Sequence, residues 1–160
     1  MRTENSIVIN AELPRIFETA ADLSQWPAIL PHYRWVRYLE RSPGRNRVIM
    51  AARRGWIPIR WTSIQEIDAD LREVRFHHLK SFTKGMDVVW SFTQSGPGVV
   101  VKISHTLDPR IPLVGDFISE RIIGDFFVRH VADQTLNHMK AYLESSRKPG
   151  QASAKTYVAE

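Results

Sequence analysis

The side chains here that could move a proton or hold a metal are few and scattered. Six histidines are present and cysteine is absent, which removes thiolate metal sites, cysteine nucleophiles and disulfides together and fits a reducing compartment. His77 and His78 are consecutive in a β-rich run, so they point to opposite faces and cannot chelate one ion. His130 and His138 stand on the polar side of a helical stripe, outside any HExxH pattern. No G-x-S-x-G elbow, Walker loop or dinucleotide glycine pattern occurs, and Gly96-Pro97-Gly98 reads as a hairpin turn. Neither a metal nor a cofactor is expected. What remains is a set of polar residues embedded in apolar strands: Ser63, Gln65, His78 and His105.

Strand alternation decides where those residues point. Ile59, Trp61, Ser63, Gln65 and Ile67 share one face of a strand; Val74, Phe76 and His78 share a face of the next. Met86, Val88, Trp90 and Phe92 form a third such row, and Val99, Val101, Ile103, His105 and Leu107 a fourth. An unpartnered buried polar group costs on the order of 1–3 kcal/mol. Polar members gathered on one interior face therefore mean either paired core groups or a cavity that holds water or ligand. For each histidine, a satisfied core imidazole is the competing reading.

The elements that carry these rows are punctuated by turn residues. A first strand over Ser6–Ala11 precedes a helix over Leu13–Ala21, with Pro14 in its first turn. A second short helix begins at Asp22 and is stopped by Pro27 and again by Pro31. Strands are then expected over His32–Ser42, Asn46–Gly55, Pro58–Asp68, Leu71–Leu79, Gly85–Gln94 and Val99–Leu107, joined by short turns and hence antiparallel. One long helix follows and runs to about Ser146. Its inner stripe holds Val128, Val131, Ala132, Thr135, Leu136, Met139, Tyr142 and Leu143, opposite Arg129, Asp133, Asn137, Lys140 and Glu144. Continued toward the N-terminus, that stripe carries Arg121, Gly124 and Asp125, while Phe126 points away. Gly124 then marks either a bend or room for a ligand. Ile122, Ile123 and Phe126 would form a homodimer contact or the lip of a pocket.

A sheet with one apolar face must bury it, and the closing helix offers the long apolar stripe to do so. The expected fold is α+β: a seven-stranded curved antiparallel sheet around a long C-terminal helix, with two short helices after the first strand. Residues 1–146 form one ligand-binding domain in this reading, and 147–160 a mobile tail without hydrophobic pattern.

Charge is unevenly placed. The net charge is +5, yet Arg34, Arg37, Arg41, Arg45, Arg47, Arg53, Arg54 and Arg60 face a single intervening acid, Glu40. Such a segment favours an anionic partner, such as an acidic carrier protein, a membrane surface or nucleic acid; otherwise it is a solvated strand face. Nucleic acid is the weakest of these, because many of the aromatic residues are needed inside. The N-terminus lacks a secretory apolar run and no segment approaches the ~20 apolar residues of a membrane span. A soluble, cytoplasmic protein is expected.

Three stretches carry a family resemblance. The first is FETAADLSQWP from Phe17 to Pro27 leading into Leu30-Pro31-His32-Tyr33; the second is Trp61-Thr62-Ser63 followed by Glu66-Ile67-Asp68. The third is Gly85-Met86 with Trp90-Ser91-Phe92, then the closing helix through Phe127, Leu136 and Lys140. Together they resemble the polyketide cyclase/dehydrase (aromatase/cyclase-like) branch of the START-related SRPBCC helix-grip superfamily. The resemblance implies a helix-grip fold that holds a hydrophobic small molecule. It also implies a possible reaction, the cyclisation and dehydration of a polyketide-like chain delivered by an acidic acyl carrier protein. The family places an arginine on the strand after Trp-Thr-Ser; the aligned position here is Gln65, with Arg53 or Arg121 as substitutes. On this reading His78, His105 and Arg121 are the catalytic candidates. Tyr33, Trp35, Arg53, Trp61, Ser63, Gln65, Phe76, Met86, Trp90, Gly124 and Val128 would bind the ligand. The alternative is a non-catalytic carrier or chaperone for a lipid or a coenzyme Q-like quinone, its arginine-rich face on an anionic membrane.

Overall fold

A computed structural model describes residues 1–108 and 117–146, with backbone only for 117–125. The chain runs β1 (Arg2–Ile9), α1 (Leu13–Ala21), a 3₁₀ turn (Leu23–Gln25), α2 (Trp26–Ile29), β2 (Tyr33–Ser42) and β3 (Arg45–Arg54). It continues through β4 (Ile57–Asp68), β5 (Glu73–His78), β6 (Asp87–Ser95), β7 (Gly98–Thr106) and α3 (Phe117–Ser145). The strands form one seven-stranded sheet in the order β1-β7-β6-β5-β4-β3-β2, antiparallel throughout. This is the helix-grip architecture: the sheet curves around α3, with α1 and α2 filling the gap between its edges.

Several boundaries differ from the sequence reading, and β5 and β6 each begin two residues later than expected. The first strand is Arg2–Ile9 instead of Ser6–Ala11, because β7 supplies a full ladder from Arg2↔Thr106 to Ile9↔Val99. Its polar start, Arg-Thr-Glu-Asn, gives no apolar alternation to read. Pro27 does not stop a helix; it lies in the first turn of α2, where its missing N–H has no partner to lose. The short helix expected from Asp22 is instead a 3₁₀ turn capped by the Asp22 carboxylate, which accepts from the Ser24 N–H at 3.1 Å.

Alternation holds along β4 to β7, whose expected inward rows are buried from Trp61 to Gln65, Val74 to His78, Met86 to Phe92 and Val99 to His105. On α3, Val128, Ala132, Thr135, Leu136, Met139 and Leu143 are buried. Tyr142 departs from expectation at 36% exposure, because it sits on the margin of the stripe and not at its centre. Polar bonds tie α3 to the β1 edge: Asn5 Nδ2 donates to Asp133 at 2.6 Å, Lys140 Nζ to the Val8 carbonyl at 2.6 Å, and the Asn10 N–H to Glu144 at 2.9 Å. The other edge is anchored through α2 and His32. Between these two moorings the helix spans the middle of the sheet.

Among the described residues no helix is long and apolar enough to cross a membrane. Residues 147–160, expected as a tail, lie outside the described residues.

Candidate functional site

Where α3 bridges the sheet, helix and strands do not meet fully. A cavity of about 70 Å³ remains, walled on the sheet side by Met50, Ile59, Trp61, Phe76, His78, Met86, Val88, Trp90, Ile103 and His105. Trp26, Tyr33, Phe82 and Thr83 close its sides, and Phe127, Val128, Val131, Ala132 and Thr135 of α3 form its roof. Small roof residues cause the gap, since Ala132, Val128 and Val131 cannot reach strands that curve away. The wall is aromatic. Trp61 and His78 stack at 5.9 Å with 13° between their planes, and Trp26 meets Tyr33, Trp90 and Phe76 at 5.0, 5.6 and 6.2 Å.

The polar groups of this wall are sparse. His78 Nδ1 lies 2.7 Å from Thr83 Oγ1. The loop after β5 folds back to make that contact: the His78 N–H donates to Met86 O at 2.9 Å and the Gly85 N–H to His78 O at 2.8 Å. Gly85 sits there at φ 83, in the left-handed region that a side chain would resist. His105 Nδ1 and Trp61 Nε1 are buried with no hydrogen-bond partner among the described residues. Burial pushes the His78 imidazole down to about 3, reinforced by the neighbouring His105 and His77, and pushes His105 down to about 4. Both rings are thus neutral at pH 7. Burial also raises the Tyr33 phenol above its ordinary range, the Thr135 hydroxyl acting weakly against it. Among the described residues the lining carries no carboxylate, ammonium or guanidinium.

His32 stands just behind this wall. Its Nε2 is 2.8 Å from Thr135 Oγ1, and that hydroxyl already donates to Val131 O at 2.7 Å. The single hydroxyl proton is therefore committed, so His32 Nε2 must carry the N–H, and the buried Nδ1 is left without a partner. Burial, with His138 and His130 nearby, lowers His32 to about 4.

Eight of the expected site residues line the cavity: Tyr33, Trp61, Phe76, His78, Met86, Trp90, His105 and Val128. Four do not. Trp35 is on the opposite face of the sheet, paired with Ala51 and covered by the Arg37 guanidinium at 5.0 Å. Spacing alone would put Tyr33 and Trp35 on one side, but a β-bulge between them turns the chain by one residue. Arg53 is exposed, opposite Pro58 near the end of a hairpin. Gln65 is fully buried yet spent on structure: its Nε2 donates to the Ala21 carbonyl at 2.8 Å and its Oε1 accepts from Asn46 at 3.0 Å. Ser63 is fully buried beside His78 in register, its hydroxyl without a partner, but it does not reach the cavity. Arg121 and Gly124 lie outside the residues whose side chains are described.

Sequence reasoning did not single out Trp26, Phe82 or Thr83 as lining. Trp26 gives a signal, an indole directly before Pro27 in an apolar segment, and its Nε1 donates to Thr19 O at 3.2 Å. Thr83 gave none, because only the fold-back of its loop brings it to His78.

The family profile described as polyketide cyclase / dehydrase and lipid transport matches residues 9–140. The chain is 30% identical over 106 residues to the actinorhodin polyketide synthase bifunctional cyclase/dehydratase of Streptomyces coelicolor; the match covers 65% of this chain and 34% of that one. The chain thus spans about a third of that relative. It is 29% identical over 106 residues to a chain of Streptomyces halstedii named as a candidate polyketide cyclase, covering 62% of this chain and 94% of the relative. In structure it is similar to the Zhui aromatase/cyclase of Streptomyces sp. R1128, with a TM-score of 0.80 at 17% identity over 96% of this chain and 99% of the other.

Proposed function

Since the chain belongs to the polyketide cyclase / dehydrase and lipid transport family, we propose that it binds a neutral, hydrophobic, oxygen-bearing molecule between sheet and α3, and that the ligand is a polyketide-like chain which it cyclises and dehydrates. The observation that carries this reading is the lining: aromatic and aliphatic throughout, free of charge among the described residues, and containing donors and acceptors that the protein leaves unpaired. An ionised headgroup has no counter-charge there and is excluded by desolvation. A carbonyl or phenolic oxygen, by contrast, suits the Trp61 indole N–H and an imidazole N–H.

Ring closure forms a carbon–carbon bond between an enolised α-carbon and a distant carbonyl carbon; the α-carbon gives up a proton and the carbonyl oxygen gains one. Dehydration then expels that hydroxyl together with a second α-hydrogen, as water. Holding the chain folded with its two carbons in reach supplies much of the acceleration. His78 and His105, each with one lone pair and one N–H when neutral, are proposed to pass protons between carbon and oxygen, with Thr83 fixing the His78 ring. Pockets for drug-sized ligands measure ≈ 300–1,000 Å³, so a cavity of about 70 Å³ has to widen on binding. Phe82 and Phe127, which meet edge to face at 6.1 Å, are the lining side chains proposed to part.

Single-turnover assays with a short poly-β-ketone thioester test the reaction. His78→Ala and His105→Ala are each expected to lower turnover by about 10²–10⁴-fold with the fold intact; full activity in both removes the assigned roles. A carrier role is the second reading, favoured by the low proton affinity of both imidazoles, which makes them better hydrogen-bonding groups than bases. Native mass spectrometry of protein purified from cells separates the two, because a carrier retains a stoichiometric lipid or quinone through purification.

A further inference from the structure

The β3–β4 hairpin ends in a two-residue turn, Gly55-Trp56, since Arg54 pairs with Ile57. Gly55 takes φ 57, and the turn projects the Trp56 indole into solvent at 89% exposure. Ile57 beside it is 43% exposed, and Phe126 of α3 is 58% exposed. The Arg54 guanidinium lies 3.6 Å from the centre of the Phe126 ring, so the hairpin that carries Trp56 and Ile57 meets the helix at an exposed patch. That patch borders the cavity: Ile59, two residues along β4, and Phe127, next to Phe126, both line it.

Charge surrounds the apolar tip. Arg45 and Arg47 are paired with Glu66 and Glu40 at 3.3 and 3.5 Å, and Arg37 and Arg41 lie over aromatic rings. Among the described residues Arg53 and Arg60 have neither an acid nor a ring partner, and the register places both on the same face as diagonal neighbours across β3 and β4. From Arg41 to Gln65 the sequence contains no acidic residue. Two like charges on adjacent strands at this end of the hairpin favour an anionic surface over a neutral one.

We propose that the Gly55–Pro58 tip, with Phe126, is a wedge that docks on an anionic lipid bilayer and sets the cavity opening against it. A convex indole tip suits the interfacial layer of a bilayer, which deforms around it and places phosphates at the height of the arginines. A second copy of this chain would bring the same positive charge. A folded acidic protein would need a pocket shaped for Trp56. The docking is independent of what the cavity holds, so its failure leaves the proposed function standing.

Flotation with vesicles of equimolar phosphatidylcholine and phosphatidylglycerol, against phosphatidylcholine alone, tests the wedge. The protein is expected to float with the first and not the second. Trp56→Ser should lower partitioning about tenfold, with Trp56→Phe between it and the parent. Arg53→Ser and Arg60→Ser should each lower it about fivefold. The Arg2→Ser/Lys102→Ser double variant, which removes twice the charge of either single arginine variant at the far edge of the sheet, should change it little, and circular dichroism should show every variant folded. Equal binding to both vesicle types, no loss in Trp56→Ser, or an equal loss in the far-edge variant would overturn the proposal. So would binding of a purified acidic acyl carrier protein that depends on Trp56 in the absence of vesicle binding, which reassigns the surface to a protein partner.

Discussion

Two stretches of the space between sheet and α3 are built from the same strands and end differently. Beneath the C-terminal half of the helix, Met139 and Leu143 belong to a core with Ile9, Ile16, Val99 and Val101 in which every side chain is inaccessible to solvent. Beneath the middle of the helix, the strands carry larger aromatic residues and the helix smaller ones, and a hollow survives. Two polar side chains of β4 show the same division. Gln65, at the closed end of β4, uses its amide twice, on Ala21 and Asn46. Trp61, two strand positions from Ser63 and nearer the hollow, has an indole N–H with nothing to bond among the described residues. A satisfied buried polar group is architecture, whereas unsatisfied ones gathered around a hollow indicate that something else is meant to meet them.

The sharpest way to break this comparison is to truncate on both sides of it. Leu143→Ala should cost about 2–5 kcal/mol in denaturant unfolding, because it opens a void in a filled core. Val128→Ala at the cavity roof should cost about 1 kcal/mol, since its side chain already borders empty space. Equal costs would mean that the hollow is not intrinsic to the fold.

Acid should act next most strongly. His78, His105 and His32 have folded-state values of about 3, 4 and 4, below the ordinary 6.5. The folded form therefore binds fewer protons than the unfolded chain, and stability rises with pH across this range. The contribution of these rings is fully present above about pH 6.5 and is lost as pH falls toward 3–4. Unfolding free energies at pH 7, 5.5 and 4.5 should fall steadily, and His78→Phe should flatten the slope; a slope unchanged in that variant would remove His78 as a source.

Smaller effects distinguish the two kinds of buried polar group. Gln65→Leu strands the Ala21 carbonyl and the Asn46 amide, and should cost about 1–3 kcal/mol while leaving ligand retention unaltered. Ser63→Ala removes a hydroxyl that has no partner and should be neutral or slightly stabilising by the same measurement. Should Ser63→Ala destabilise as much as Gln65→Leu, the distinction between satisfied and unsatisfied groups fails.

Much of the fold was legible because each strand from β4 to β7 alternates cleanly and is closed by a turn. The inward rows through Trp61, Phe76, Trp90 and Ile103 follow from a period of two and nothing else. The cavity lining was legible where it lay on those rows, as with His78 and His105. It was hidden where local geometry broke the period, as at the bulge between Tyr33 and Trp35, and where neighbours hold a side chain away from the hollow, as at Gln65. Thr83 was beyond reach, because a loop residue has no periodicity to betray its direction.

Element order, the face each central strand turns inward and the arginine-rich stretch from Arg34 to Arg60 are written in the order of the residues. Which of those arginines lack a partner among the described residues, which buried amides are spent on the framework, and how far the helix stands from the sheet emerge when the chain packs. Periodicity is a property of one element, while a gap, a partner or a lone guanidinium is a relation between elements. Such relations are set by sheet curvature and by side-chain volumes that meet only after the chain has closed.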